Sequence, residues 1–579
     1  MVQVHLDLSE PQRHLVSVHI QVQPRLARMR LALPGWTPGS YLIRDYVRLL
    51  EGLDAEQGGQ PLPLQRLEPA AWLLNCDPSA GPLSLRYRVL ATDLTVRTCH
   101  LDHEHGFLAL AAVVLELEGE RWSSYALSCT LPEGWEAFVP LPIAQGSWQA
   151  RSFDQLLDSP LEAGPHRPLS FAVHGVPHRL VCWAGAAGEE AWLLERHPEL
   201  LEDLRRVCEA CCRLMGVEQP ASHDYLVILH LVDEGYGGLE HDDSTVLIYG
   251  RRNLEKPNGY RRFLQLVAHE YLHQWNVRRL RPAELTPIDY HRPPVVPSLW
   301  FAEGVTSYLD QFLPLSAGLT QPDELLTDLG DDLSRYRLTP GRFVQSLRES
   351  SQEAWVKLYK ADAYSADSQV SYYLKGAVIA LCLDLHLRRC GGSLLQVLRQ
   401  LWRSHGRWGR GYSEADLITA FAAGAPDLAT QLPRWLQDLD DPDLDGYLSS
   451  VGLHLEAEMA SVPWVGLTTR QESGGLTATR VVRGGPAEQA GVMVGDELVA
   501  LDQQRLKTPE DWTRALTSER SQTLLITRRS QLRSLCLCPL APQVERYVLK
   551  QVLDPSADQQ EAQRRWLQQQ PCADPAAVA

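Results

Sequence analysis

Val267-Ala268-His269-Glu270-Tyr271-Leu272-His273-Gln274-Trp275-Asn276 is the stretch on which the reading of this chain turns. It sits in a helical pattern that starts near Tyr260 and is expected to end before Pro282. Residues four apart on a helix lie one above the other, so His269 and His273 share a face. Two imidazoles so placed can reach one zinc ion at about 2.0 to 2.1 Å, while Glu270, about 100° round the helix, can touch the water that the ion activates. The spacing predicts two metal ligands and a general base.

A catalytic zinc needs a third protein ligand and an open position. Glu303 stands 29 residues beyond His273, in Leu299-Trp300-Phe301-Ala302-Glu303-Gly304-Val305-Thr306-Ser307-Tyr308, where a second helix can present its carboxylate. The proline-rich run from Pro282 to Pro297 between them reads as a connecting loop. One Zn2+ per chain is expected, held by His269, His273 and Glu303.

Outward from this centre the pattern changes twice. Residues 1 to about 175 alternate apolar and polar in short runs, as in Val16-Ser17-Val18-His19-Ile20-Gln21-Val22 and Leu83-Ser84-Leu85-Arg86-Tyr87-Arg88-Val89, which predicts a β-sandwich-like domain. From about residue 190 the period becomes helical, with Leu200, Leu201, Leu204, Val207 and Cys208 on one face. Two strands, Tyr225 to Leu231 and Ser244 to Tyr249, bracket a glycine-containing segment before helices resume. After the acidic break at Asp438 to Asp443, strand-like segments return. A chain of 579 residues exceeds one hydrophobic core. The expected fold is multidomain α+β: an N-terminal β domain over 1–175, a mostly helical catalytic domain over 176–450, a third domain over 451–552 and a polar C-terminal tail over 553–579.

Apolar residues at 44% and charged residues at 22% are ordinary globular values, and no apolar run approaches the roughly 20 residues of a membrane span. The net charge of -17 is spread over all segments without a Lys/Arg cluster, so nucleic acid is not an expected partner. The opening residues carry no Sec-type signal pattern, and a cytoplasmic location is expected. Twelve scattered cysteines, including Cys208 and Cys211, read as reduced thiols rather than a disulfide framework. His103-Glu104-His105 reads as a surface turn with two histidines on one side and no third ligand nearby in sequence.

Tyr236-Gly237-Gly238-Leu239-Glu240-His241 lies just before a strand and can bring backbone and carboxylate close to an extended peptide. An α-amino group, with a pKa of about 7.7 to 8.0, is mostly ammonium at neutral pH, so Glu240 there can select a free N-terminus. Gly237, Gly238 and His241 are the further candidates for substrate contact.

The run His269-Glu270-Tyr271-Leu272-His273-Gln274-Trp275-Asn276-Val277-Arg278-Arg279-Leu280-Arg281-Pro282, with Trp300-Phe301-Ala302-Glu303-Gly304, resembles the gluzincin metallopeptidases, and within them the PDZ-containing glycyl aminopeptidase family. Trp36-Thr37-Pro38-Gly39-Ser40-Tyr41-Leu42-Ile43-Arg44-Asp45-Tyr46 is similar to that family's N-terminal signature, which extends the resemblance over nearly the whole chain. It implies a thermolysin-like catalytic domain and an aminopeptidase that prefers Gly and Ala as first residues. The segment around Glu240 resembles the Gly-x-Met-Glu-Asn motif of related zinc aminopeptidases, with Leu239 and His241 in place of Met and Asn. Ser371-Tyr372-Tyr373-Leu374-Lys375-Gly376 resembles their Tyr-x-Lys-Gly, which implies that Tyr373 polarises the scissile carbonyl; Tyr372 is the other candidate. Thermolysin-like enzymes often carry an Asp four residues after the ligand Glu to orient a zinc histidine. Ser307 stands there, which leaves that partner unassigned, with Asp310 as a candidate.

Gly485-Pro486-Ala487-Glu488-Gln489-Ala490-Gly491-Val492-Met493-Val494-Gly495-Asp496-Glu497-Leu498 has the spacing of a PDZ domain. Its peptide groove is expected at Val465, Gly466 and Leu467, where loop amides can receive a carboxylate and the next strand can pair with an added one. Two other functions fit the same residues: a zinc endopeptidase, and a non-catalytic scaffold whose PDZ and β domains bind peptides. N-acetylation separates the first, because only an aminopeptidase needs the free amine.

Overall fold

Alternation of side chains across a pleated strand sets the N-terminal architecture. Leu15–Val22 pairs antiparallel with Leu83–Leu90, placing Val16 opposite Val89, Val18 opposite Tyr87 and Ile20 opposite Leu85, all buried. These strands lie at the centre of an eight-stranded sheet that begins at Ile143–Ala144 and ends at Gln60–Leu62. The structure, a computed structural model, describes residues 1–185, 190–472 and 475–569.

Contacts divide the chain into two compact units. The first holds Met1–Val296, Leu309–Thr320 and Leu395–Ala420; the second holds Pro297–Tyr308, Gln321–Leu394 and Phe421–Ala579. The expected class is what the structure has: a β-rich N-terminal part, a helical catalytic part and a C-terminal PDZ fold.

In the first unit a five-stranded sheet follows the β-rich part, in the order Leu169–Val173, Val176–Trp183, Tyr225–Val232, Ser244–Gly250, Tyr236–Glu240. Its three central strands run parallel and are mostly apolar and buried, as suits strands covered on both faces. The helices Leu200–Met215 and Gly259–Leu272 pack beside it. The glycine-containing segment is not a turn between strands. It is the antiparallel edge strand, with Gly238 opposite Leu247 and Glu240 opposite Thr245.

In the second unit the helix Tyr372–Arg389 forms the core, capped at its start by the Ser371 hydroxyl, which accepts from the Leu374 amide. The apolar stretch Ser365–Arg389 is long and apolar enough to cross a membrane by length and composition, and 78% of the 18-residue apolar window within it is buried inside the protein. The PDZ fold is a sheet ordered Leu467–Glu472, Gly475–Val481, Glu497–Leu501, Gln522–Arg528, Gln531–Leu537, with the helix Pro509–Ala515 beside its first strand. The C-terminal segment is more than a polar tail. Ala557–Leu567 is a helix whose Trp566 is fully buried, its indole N–H donating to the Tyr308 hydroxyl at 2.8 Å. One large aromatic in an otherwise polar helix gives too weak a periodicity to announce that docking. The Pro/Ala end of the chain lies outside the described residues.

Candidate active site

The helix Gly259–Leu272 carries His269 and Glu270, and its C-cap residue is His273. It stops there rather than running on toward Pro282. The amides of Gln274 and Trp275 donate to the carbonyls of Tyr271 and Leu272, tightening the last turn. The stop has a use: it brings the Asn276 carbonyl 2.5 Å from Nδ1 of His273. On the same face the two imidazoles lie with ring centroids 4.6 Å apart and planes at 88°.

Each histidine has one nitrogen fixed. Asp310 Oδ2 lies 2.8 Å from Nδ1 of His269, so Asp310 takes the place that Ser307 leaves vacant in the sequence motif. With both Nδ1 atoms directed at oxygen acceptors, the tautomers and ring orientations are set and Nε2 is the ligating atom on each ring. This pre-orientation is what a metal-binding pair requires, and two imidazoles with a carboxylate are a donor set suited to zinc. The signal for Asp310 was in the sequence at a different spacing: it stands seven residues after Glu303, two helical turns rather than one.

Glu240 is also in the first unit and also buried. One of its carboxylate oxygens, one of Glu270 and a ring nitrogen of His273 lie within 4.8 Å of one another. Oε1 of Glu240 is buried without a hydrogen-bond partner. The loop carrying Trp36 to Tyr41 explains how Glu240 is held: a Cβ at Gly39 would lie 2.5 Å from Oε2 of Glu240, and Gly39 has φ +83°. A side chain at position 39 is therefore excluded twice, by contact and by backbone conformation. At Gly238 a side chain is excluded by contact alone, since a Cβ would run into the Glu270 carboxylate, and the Gly238 carbonyl accepts from Arg97 at 3.1 Å. Sequence reasoning did not find the Gly39 and Arg97 contacts, because both join segments far apart in the chain.

His241 faces elsewhere. Its Nδ1 lies 3.0 Å from Asp158, whose carboxylate is 2.7 Å from the Arg278 guanidinium, and Arg278 donates to Asp242 at 3.0 Å. This network braces the segments on either side of Glu240. Gly237 lies on the same edge strand, and a Cβ there would meet nothing within 4 Å.

In the second unit Glu303 lies in a π-helical turn, Trp300–Gly304, of the kind often found at functional sites. That turn packs directly on the start of the helix Tyr372–Arg389. A Cβ at Gly304 would lie 2.5 Å from the Gly376 Cα, and one at Gly376 would lie 2.9 Å from the Gly304 Cα. Two glycines facing each other let the backbones touch, and the Glu303 carboxylate then acts on the Tyr373 phenol. Burial, with Glu303 next in weight, pushes that phenol well above its ordinary pKa. Tyr373 donates to or accepts from Tyr359 at 3.2 Å and is partly exposed, whereas Tyr372 is fully buried. Of the two tyrosines, Tyr373 is the one a substrate can reach.

The expected PDZ groove is a cleft of about 640 Å³ lined by Trp464 to Thr468, Trp512 and Leu516, and on its other side by Leu338, Pro340 and Tyr547. Leu467–Glu472 is an edge strand, open to an added strand. Val465 itself turns inward and is part of the PDZ core.

The profile of the M61 glycyl aminopeptidase family matches residues 262–379, that of its N-terminal domain residues 3–165, and that of a PDZ domain residues 477–529. The chain belongs to the M61 glycyl aminopeptidase family. Among solved structures, an aminopeptidase N family protein from Idiomarina loihiensis is 29% identical, covering 98% of this chain and 100% of its own, with a TM-score of 0.90. An M1 zinc metallopeptidase from Deinococcus radiodurans is 16% identical over 76% of this chain and 94% of its own, with a TM-score of 0.48. Yeast LTA4 hydrolase in complex with bestatin is 14% identical over 78% of this chain and 69% of its own, with a TM-score of 0.47. No curated protein is similar enough in sequence to match. As an M61 protein the chain is a peptidase, a hydrolase, and the PDZ match adds a peptide-binding fold.

Proposed function

We propose that this M61 protein is a zinc aminopeptidase that removes the first residue of peptides with a free N-terminus, favouring Gly and Ala. In this reading residues 1–175, 176–450 and 451–552 serve as N-terminal, catalytic and PDZ domains. One catalytic zinc is held by His269, His273 and Glu303. Bound there, zinc would supply Lewis-acid activation of a water and of the scissile carbonyl.

The remaining work belongs to the chain's own residues. Glu270 takes a proton from the attacking water and delivers it to the leaving nitrogen. The Tyr373 phenol, kept neutral by its raised pKa, donates to the carbonyl oxygen as negative charge develops there. Gly238 lets the substrate backbone approach Glu270, and the Tyr236–Glu240 edge offers it a strand to lie along.

The observation that carries the reading is the buried Glu240 carboxylate, one oxygen without a partner and within 4.8 Å of both Glu270 and His273. A buried carboxylate with an unpartnered oxygen favours a cation, and in this reading the substrate's ammonium is the cation that Glu240 binds, leaving Glu270 to the proton transfer. The preference for small first residues is supported by the match to the glycyl aminopeptidase family.

Hydrolysis of Ala-, Gly- and Leu-initiated peptides, each free and N-acetylated, tests the reading. The free Ala and Gly peptides should lose their first residue and the acetylated ones should survive intact. Equal cleavage of the acetylated peptides would replace the aminopeptidase with an endopeptidase.

A further inference from the structure

Away from the catalytic helix, the first unit buries a second cluster of metal-type donors. Glu162, on the strand Leu161–Gly164, is fully enclosed, and each of its oxygens meets imidazole nitrogen: Oε1 lies 2.9 Å from His105 Nδ1 and 2.9 Å from His166 Nε2, and Oε2 lies 2.9 Å from His230 Nε2. His105 and His230 are as completely buried as Glu162, and the His166 side chain is 7% exposed. The expectation that His103 and His105 share one side of a surface turn fails here. His103 stays in solvent while His105 turns into the core and stacks on Trp183 at 4.2 Å.

Three features make this more than a set of core histidines. The sequence is shaped around it: a Cβ at Gly164 would strike the His166 ring, so only glycine lets His166 fold back onto Glu162. Glu162 is the hydrogen-bonding centre of these rings, since His105 Nε2 and His230 Nδ1 have no hydrogen-bond partner, while Trp183 and Phe107 pack against them. And among the described residues the partners of Glu162 include no arginine or lysine, although an anion removed from water needs a compensating cation. Donors each about 2.0 to 2.1 Å from one ion stand about 2.9 to 3.4 Å from one another, depending on whether the corner is square or tetrahedral. The 2.9 Å separations of His105 and His230 from the Glu162 oxygens lie at the short end of that range, and the ligand atoms of the three residues all lie within 4.8 Å of one another.

We propose that His105, His230 and Glu162, whose ligand atoms all lie within 4.8 Å of one another, form a second, structural site for a divalent transition-metal ion of the class that accepts imidazole, zinc foremost. All three donors are fully enclosed, away from any substrate, which fits a structural rather than a catalytic metal. His166 hydrogen-bonds to Glu162 from outside this set. The ligands come from the strands Leu161–Gly164 and Tyr225–Val232 and from the turn beside Gly106, so the ion would pin the β-rich part to the five-stranded sheet.

The test removes the catalytic site first. The full-length His269→Ala/His273→Ala double variant, stripped with chelator and titrated with zinc alone, should take up one tightly bound equivalent. X-ray absorption at the zinc edge should show two nitrogen ligands and carboxylate oxygen. Adding Glu162→Gln, or separately His230→Ala, should abolish that equivalent, and zinc should raise the Tm of the double variant but not of the triple ones. Failure of the folded double variant to bind stoichiometric zinc would overturn the proposal, whatever the outcome for activity at the catalytic site.

Discussion

In the proposed mechanism Glu240 and Glu270 divide the work that two neighbouring carboxylates can do, one facing the ammonium and the other a reacting proton. Glu240→Gln keeps the shape and loses the charge, so KM for free Ala peptides should rise at least tenfold with metal content unchanged, an effect read from steady-state kinetics. Tyr373→Phe should lower kcat by about 10²- to 10³-fold, the worth of one oxyanion donor. Tyr372→Phe should leave kcat near wild type, since that ring lies in the core. Because burial and Glu303 raise the Tyr373 pKa, the phenol stays protonated through neutral and mildly alkaline pH. The alkaline limb of kcat in Tyr373→Phe should therefore coincide with that of wild type. Asp310→Asn keeps a side chain but not the acceptor charge that orients His269, and should weaken zinc binding at the catalytic site by about 10- to 100-fold in a chelator competition.

Among the elements, the paired glycines decide most. Gly304 and Gly376 sit where a π-helical turn meets a core helix, and Gly376→Ala must push the two backbones apart. Such overpacking costs about 1 to 3 kcal/mol or more, so thermal unfolding should show a clear fall in Tm together with loss of activity. The same elements show what was legible in the sequence. His269, Glu270 and His273 were readable because four-residue spacing maps directly onto one helix face, and the alternation at Val16 to Val22 gave the strand and its buried side. Asp310, Gly39 and Arg97 were not readable in the same way, since each acts through a contact that only the tertiary fold brings about. Nor does the sequence show that the segment holding Glu240 is an edge strand, because two glycines carry no β signal of their own. His105 was misread for the opposite reason: its neighbours in sequence are polar and exposed, while its partners lie at Glu162 and His230.

For the whole molecule, the PDZ fold is tied to the helical part of the second unit. Asp367 is buried and receives both the Arg480 guanidinium and the Arg483 amide, each at 3.1 Å. Leu549, on the strand Val544–Gln551, packs so closely on the helix Pro322–Arg337 that a Cβ at Gly330 would lie 3.1 Å from the leucine Cβ. The peptide cleft at Leu467 is accordingly lined from both sides. A chain truncated after residue 450 should lose solubility or melt earlier than the full chain, and a PDZ fold that was an independent appendage would leave Tm unchanged. The central claim is that Glu270 works as the base on a metal site already assembled without it. It is tested most directly by measuring Ala-peptide hydrolysis and bound metal together in wild type and in Glu270→Gln. The account predicts a variant that holds as much metal as wild type and loses about 10²- to 10⁴-fold in kcat, the range for a general base. A variant that keeps both its metal and its turnover would contradict it.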